Sequence, residues 1–306
     1  MMAVMAVDRL TSLLEQFHVR TSLFHAGPKC GVTRYAAEPG RGFLHVVREG
    51  GMTVEQPGPG GTVQTLTVDR PSLLFYPRPL EHAFHHTTED GSDLVCATLD
   101  FDGGTSHPLV RSLPPVVVLP LDAVTPLGPT LDLLFAEVDD VRCGRRLLAD
   151  RLLDVVVVQL FRWVLDHTAD LALPAGLLTG LADPRVAPAL VAVHEDPGAP
   201  WTVESLARRA AMSRSAFAAH FKDVVGTAPL DYVTGWRIAV AQDRLRAGAS
   251  VARTATDLGY ATSAAFSRVF SQRVGASPRA WLAGVRVGEG AGEGADDDAL
   301  RGAVAG

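Results

Sequence analysis

Val225-Gly226-Thr227-Ala228-Pro229-Leu230-Asp231-Tyr232 recurs 49 residues later as Val274-Gly275-Ala276-Ser277-Pro278-Arg279-Ala280-Trp281. Phe217 and Phe221 recur at the same offset as Phe266 and Phe270, and Leu206-Ala207 echoes Thr254-Ala255 at an offset of 48. A repeat of this length is a supersecondary unit. In the first copy Thr202 is a good N-cap for a short helix with Val203, Leu206, Ala207 and Ala210 on one apolar face. A break at Ala211-Met212 follows, then Ser213 caps a second helix that turns Phe217, Phe221 and Val224 inward and stops at Gly226. In the second copy Ser250 is the cap, Val251, Ala255 and Leu258 face inward, and Gly259 makes the turn. Thr262 then caps a helix with Phe266, Phe270 and Val274 inward, ended by Gly275. Two short helices joined by a tight turn, with a small residue where they cross, form a helix-turn-helix. Residues 229–246 read as one long helix between the copies. At about 1.5 Å per residue it spans roughly 27 Å, close to the ~34 Å that separates successive major grooves of DNA.

The second copy also resembles the AraC/XylS-type transcription regulators. The residues that carry the likeness are Gly259-Tyr260-Ala261-Thr262-Ser263-Ala264-Ala265-Phe266-Ser267-Arg268-Val269-Phe270, closed by Gly275-Ala276-Ser277-Pro278. The resemblance covers the last ~100 residues and implies an all-α domain with two helix-turn-helix units entering adjacent major grooves.

Helical period places Arg214, Ser215, Ala218, Ala219 and Lys222 outward on the first recognition helix, and Ser263, Ala264, Ser267 and Arg268 outward on the second. Arg268 is the candidate base reader, since a bidentate arginine–guanine contact is the commonest specific pairing. Arg214 and Lys222 suit phosphate neutralisation. Helix starts at Thr202, Ser250 and Ser277 offer free amides to phosphates. Ala218 and Ala219 cannot hydrogen-bond a base, so that helix reads thymine methyl groups or contributes affinity alone.

Charge appears at first to contradict this reading. The 306 residues carry 28 basic and 34 acidic side chains, a net of -6. Resolved by segment, residues 1–183 hold 14 basic against 22 acidic, residues 184–284 hold 12 against 7, and residues 285–306 hold 2 against 5. The repeat is therefore a basic segment between acidic ones. At 47% hydrophobic residues the chain is not wholly disordered, and its length suits two domains. Cys30, Cys96 and Cys143 are far apart with no CxxC pair, which fits a reducing cytoplasm and gives neither a disulfide framework nor a zinc finger. The apolar start is cut short by Asp8-Arg9, and the run Val155–Val158 falls well below the ~20 residues of a membrane helix, so a cytoplasmic protein is expected.

Residues 20–120 read as β-structure. The apolar runs 43–47, 73–76 and 94–99 alternate with turn clusters at 56–61 and 102–104, as in a sandwich or small barrel. From Pro126 the period becomes helical. Leu148, Leu152, Val155, Val156, Gln159, Leu160 and Trp163 form a stripe that serves either internal packing or a subunit interface. Residues 173–184 read as the linker. The expected organisation is a sensor or dimerisation domain at 1–125, a helical linker with candidate dimer helices at 126–182, a DNA-binding domain at 183–286 and a disordered tail at 287–306.

The β-rich part resembles the cupin-like domains that precede such DNA-binding units. Residues 43–50, residues 69–77 and His82 carry the likeness, with 94–96 and 113–115 fitting as well. The fold class is thus multidomain: a cupin-like barrel, a helical linker and a double helix-turn-helix. The resemblance implies an effector pocket, for which Phe43, His45, Tyr76 and His82 are the candidates. Metal-binding cupins carry two histidines one residue apart followed by glutamate. Here Val47 takes the second place and leaves His45, Glu49 and His82, with His85, His86 and Cys96 nearby. No cofactor is required; a divalent metal such as zinc is the alternative, with His45, His82 and Cys96 as candidate ligands. No catalytic set stands out. The expected protein is a homodimeric, non-enzymatic regulator that binds promoter DNA, a small effector and RNA polymerase. The alternatives are a metal-dependent cupin enzyme fused to a DNA-binding domain, or a ligand-insensitive DNA-binding dimer.

Overall fold

A computed structural model describes residues 7–86, 91–104, 107–140 and 142–285; the tail expected at 287–306 lies outside the described residues. Helix α1 (Thr11–Gln16) precedes nine strands among the described residues. In chain order they are β1 (Val19–Lys29), β2 (Val32–Tyr35), β3 (Arg41–Glu49), β4 (Met52–Pro57), β5 (Val63–Val68), β6 (Ser72–Tyr76), β7 (His82–His86), β8 (Ser92–Phe101) and, after α2 (Pro108–Ser112), β9 (Val117–Pro120). They form two antiparallel sheets, ordered β1-β8-β3-β6-β9 and β2-β7-β4-β5. The continuous apolar runs of the sequence follow from burial on both faces. Phe43, Val47, Leu74, Tyr76, Leu94 and Cys96 point between the sheets, while Leu44, Val46, Leu73, Phe75, Val95 and Ala97 point outward onto helices.

Those helices are α3 (Gly128–Asp139) and α4 (Arg145–Asp166), with α4 laid along β1. Strand β1 is an edge, and α4 covers it: Asp150 accepts the Leu23 amide at 2.7 Å, and Asp154 accepts the Thr21 hydroxyl at 2.8 Å. Arg48 fastens α3, donating to Asp139 at 2.8 Å and to Asp93 at 2.8 Å while lying over the Phe135 ring. The buried face of α4 is Ala149, Leu153, Val156, Val157, Leu160, Phe161 and Val164. The stripe read from the sequence splits: Val156 and Leu160 are buried, whereas Leu148 and Val155 are exposed. Four consecutive valines at 155–158 put apolar side chains on every side of that turn, so periodicity alone could not phase it there.

The stretch expected as a linker contains a helix, α5 (Leu177–Ala182), with Leu177, Leu178 and Leu181 buried. Then come α6 (Ala187–Glu195), α7 (Val203–Arg209), α8 (Arg214–Val225), α9 (Pro229–Arg246), α10 (Val251–Asp257), α11 (Ser263–Val274) and a helical stretch at 278–285. One continuous apolar core joins the outer barrel face to the helical domain. Phe17 wedges between them, 3% exposed, edge-on to His107 at 5.5 Å and to Trp236 of α9 at 5.2 Å. Beside it Gln16 donates to Asp243 at 3.1 Å. No described helix is long and apolar enough to cross a membrane.

Candidate nucleic-acid interface and barrel interior

The caps form where the sequence placed them. Thr202 and Ser205 make a capping box on α7, and Ser213, Ser250 and Thr262 accept the amides of Ala216, Arg253 and Ala265. Gly226 and Gly275 end α8 and α11 at φ 81° and 83°, a left-handed cap that favours glycine. Phe217, Phe221, Phe266 and Phe270 are fully buried, and their rings pair at 5.4 Å in the first unit and 5.6 Å in the second. On α8 the inward residue of the last turn is Val225, where Val224 was expected; Val224 is half-buried.

With the phenylalanines fixed, the opposite faces are set. Arg214, Ser215, Ala219 and Lys222 are exposed on α8, and Ser263, Ala264 and Arg268 on α11; Ala218 and Ser267 are half-buried. Arg214, Lys222 and Arg268 form no ion pair among the described residues. Ser263, Ala264 and Ser267 face Val251, Ala252, Ser277, Pro278 and Arg279 across a groove of about 320 Å³. Arg279 was missed by the sequence reading. Its repeat partner is Leu230, 43% exposed, so an arginine in place of an exposed leucine was the available signal. Helix α8 is anchored from behind by His220, whose Nε2 lies 2.8 Å from Asp183. Burial would raise the Asp183 pKa, but amide hydrogen bonds from Val186 and Arg185 and the His220 contact outweigh it and hold the carboxyl below its usual range.

The four candidate pocket residues meet inside the barrel. His45 and His82 are buried, with Nε2 atoms 2.9 Å apart. The Tyr76 ring stacks on His82 at 4.0 Å, and Phe43 stacks on His45 at 5.7 Å. His82 Nδ1 lies 2.8 Å from the Leu80 carbonyl, which only accepts, so Nδ1 carries the proton in neutral His82. Its Nε2 then accepts from His45 Nε2–H. That leaves His45 Nδ1 an acceptor with no hydrogen-bond partner among the described residues. Among the described residues no three His, Cys, Asp or Glu side chains come together as a metal-ligand set. Cys96 instead lies 3.7 Å from the Tyr35 hydroxyl, His85 pairs with Glu55 and His86 with Ser92.

Burial lowers the pKa of His82 to about 4, of His107 to about 4 and of His194 to about 3. The unfolded imidazoles titrate near 6.5. Below that value the unfolded chain takes up protons that the folded chain refuses, so this stability is complete above pH ~6.5 and declines as pH falls toward ~4. Urea midpoints are expected to drop between pH 7 and 5 as the unfolding free energy falls by about 1 kcal/mol per imidazole for each unit below 6.5. An unchanged midpoint would contradict neutral buried histidines.

The cupin family profile matches residues 8–166, and a helix-turn-helix domain profile matches residues 206–284. A protein of Streptomyces lividans, named as an AraC-like transcription regulator, is 38% identical over 195 residues, 61% of this chain and 63% of that one. The HTH-type transcriptional regulator AlkR of Acinetobacter baylyi is 31% identical over 199 residues, 63% of this chain and 64% of that one. The chain thus spans less than two thirds of the length of these curated relatives. Among solved structures, the DNA-binding domain of AdpA, in complex with a target DNA, is 31% identical and covers 32% of this chain and 90% of that chain, with a TM-score of 0.30. Over residues 8–166, more than half its length, the chain belongs to the cupin family, and it joins that fold to a helix-turn-helix domain at residues 206–284.

Proposed function

We propose that the protein is a sequence-specific DNA-binding transcription regulator that acts without catalysis and responds to a small molecule through its barrel. The observation that carries this reading is the duplicated unit: α8 and α11 each stand on a buried phenylalanine pair and turn outward cations (Arg214, Lys222 and Arg268) that have no ion pair among the described residues, with α9 between them. Arg268 reads a base, Arg214 and Lys222 neutralise phosphates, and Ser215, Ala218, Ser263, Ala264 and Ser267 shape the contact. The effector is held by Phe43, His45, Tyr76 and His82. The exposed Leu147, Leu148 and Val155 on α4 support a homodimer, and RNA polymerase is the downstream partner in the cytoplasm.

Selection of bound sequences from a random DNA pool tests the reading. Enrichment of a motif with two elements, present once or twice per bound fragment, is expected, and its geometry reports how many copies bind. Failure to enrich any motif would sink it. On the selected site Arg268→Ala should weaken binding by about 1–3 kcal/mol and relax preference at one base step. A binding profile identical to the parent's would remove Arg268 from base reading.

A further inference from the structure

The centre of α9 holds an arginine that the DNA face does not use. Arg237 donates from Nε to the Pro197 carbonyl at 2.6 Å and from Nη2 to the Ala199 carbonyl at 2.8 Å, and its guanidinium lies 5.6 Å from the Tyr260 ring centroid. Pro197 and Ala199 belong to the loop that enters α7 of the first unit, whereas Tyr260 belongs to the turn between α10 and α11 of the second. Between the two carbonyls sits Gly198. A Cβ on Gly198 would fall under 3.0 Å from the Asp257 carbonyl oxygen, and a Cβ on Gly259 under 3.0 Å from the Gly198 carbonyl oxygen. Backbone therefore meets backbone across the two units, and only glycine permits it.

Both sides of this contact are stiff. Asp196 accepts the Ala199 amide at 3.1 Å, and Trp201 Nε1 donates to the Asp196 carbonyl at 2.8 Å. Tyr260 packs edge-on to Phe266 of the second core at 5.4 Å. The covalent connection runs from α9 to α10 through Gly248 at φ 89°, a cap in which the Ala249 amide donates to the Arg244 carbonyl at 2.9 Å. Ion pairs of Arg244 with Asp257 and of Arg273 with Asp231 tie the second unit to α9, whereas the Arg237 contact ties it to the first unit.

We infer that Arg237, with Gly198 and Gly259, is the positioning group that fixes how α11 is turned relative to α8, and so sets the base-pair spacing the protein accepts between its two DNA elements. The inference rests on the regulator reading above. One inserted base pair rotates the second element by about 34° and moves it by about 3.4 Å, which a locked pair of helices cannot follow.

The test uses the full chain on the selected site and on versions with one or two base pairs inserted or removed between the elements. The parent should lose at least tenfold in affinity for each single-pair change. Arg237→Ala should bind every isolated element within twofold of the parent, yet lose less than about threefold per single-pair change. Arg237→Lys keeps the charge but not the planar fork that meets both carbonyls, and should fall between. A parent-like spacing profile in the variants, or a flat profile in the parent, overturns the inference. Should Arg237→Ala not fold by circular dichroism, Arg237→Lys and Tyr260→Leu carry the same comparison.

A second arm needs no DNA. Spin labels at Ala219 and Gln272, with Cys30 and Cys143 replaced by serine, should give a narrow distance distribution that broadens in the Arg237 variants. Equal widths overturn the inference. Absence of any motif with an intact narrow distribution would count against the regulator reading alone.

Discussion

Gly259→Ala is expected to lower the stability of the second helix-turn-helix by about 2–5 kcal/mol. Two costs combine. At φ 75° a side chain occupies the left-handed region, at about 1–2 kcal/mol. The new methyl also meets the Gly198 carbonyl oxygen, a backbone atom that cannot swing aside, and overpacking of this kind costs about 1–3 kcal/mol. The first unit supplies the control. Its equivalent turn residue is Ala211, already at φ 51° and exposed. Ala211→Gly removes the left-handed cost of about 1–2 kcal/mol but adds freedom to the unfolded chain, worth about 0.4–1 kcal/mol, so it should leave stability unchanged or raise it by at most about 1.6 kcal/mol. Urea unfolding with amide hydrogen exchange resolved by residue separates the two. Equal, small effects at both turns would mean that the close approach at Gly259 relaxes without cost.

Phe17→Ala should cost about 3–5 kcal/mol, the usual range for removing a buried phenylalanine. It should also uncouple the two halves of the molecule. The Phe17 ring is shared by His107 on the barrel side and Trp236 on α9, so its loss opens the shared core where the domains meet. Fluorescence of Trp236 alone and of Trp163 alone, each measured with the other three tryptophans replaced by phenylalanine, should give coincident transitions with Phe17 present and separate ones without it. Coincident transitions in both would show that the remaining contacts, such as Gln16 with Asp243 and Arg9 with the Leu181 carbonyl, suffice for cooperativity.

What was legible in the sequence was local or periodic. Caps at Thr202, Ser213, Ser250 and Thr262, stops at Gly226 and Gly275, and the phenylalanines four residues apart each announce their role within one turn of helix. The strand runs at Phe43–Val47 and Leu73–Tyr76 were legible for the same reason. Their two-faced burial erased the alternation that would have told which side faces the barrel interior. What was not legible depends on distant chain segments. His45 and His82 were both singled out, but the hydrogen bond between them, 37 residues apart, comes from the sheets closing over them. Gly259 read as a turn glycine, and nothing nearby in sequence marks Gly198 as the backbone it must admit. Nothing near Asp150 and Asp154 in sequence marks their partners, which lie on β1 more than 120 residues away.

That last contact bears on how the protein behaves out of equilibrium. Of the four sheet edges, β1 is covered by α4, β9 is four residues long and ends in Pro120, and β2 is four residues long and carries Arg34. The fourth, β5, reads Val63-Gln64-Thr65-Leu66-Thr67-Val68, without charge or proline, and Val63 is 71% exposed. Uncharged, β-prone six-residue edges of this kind template strand addition from other chains. Heating or long storage should therefore drive the protein toward self-association through β5, and a single lysine at Thr65 is the mildest gatekeeper against it.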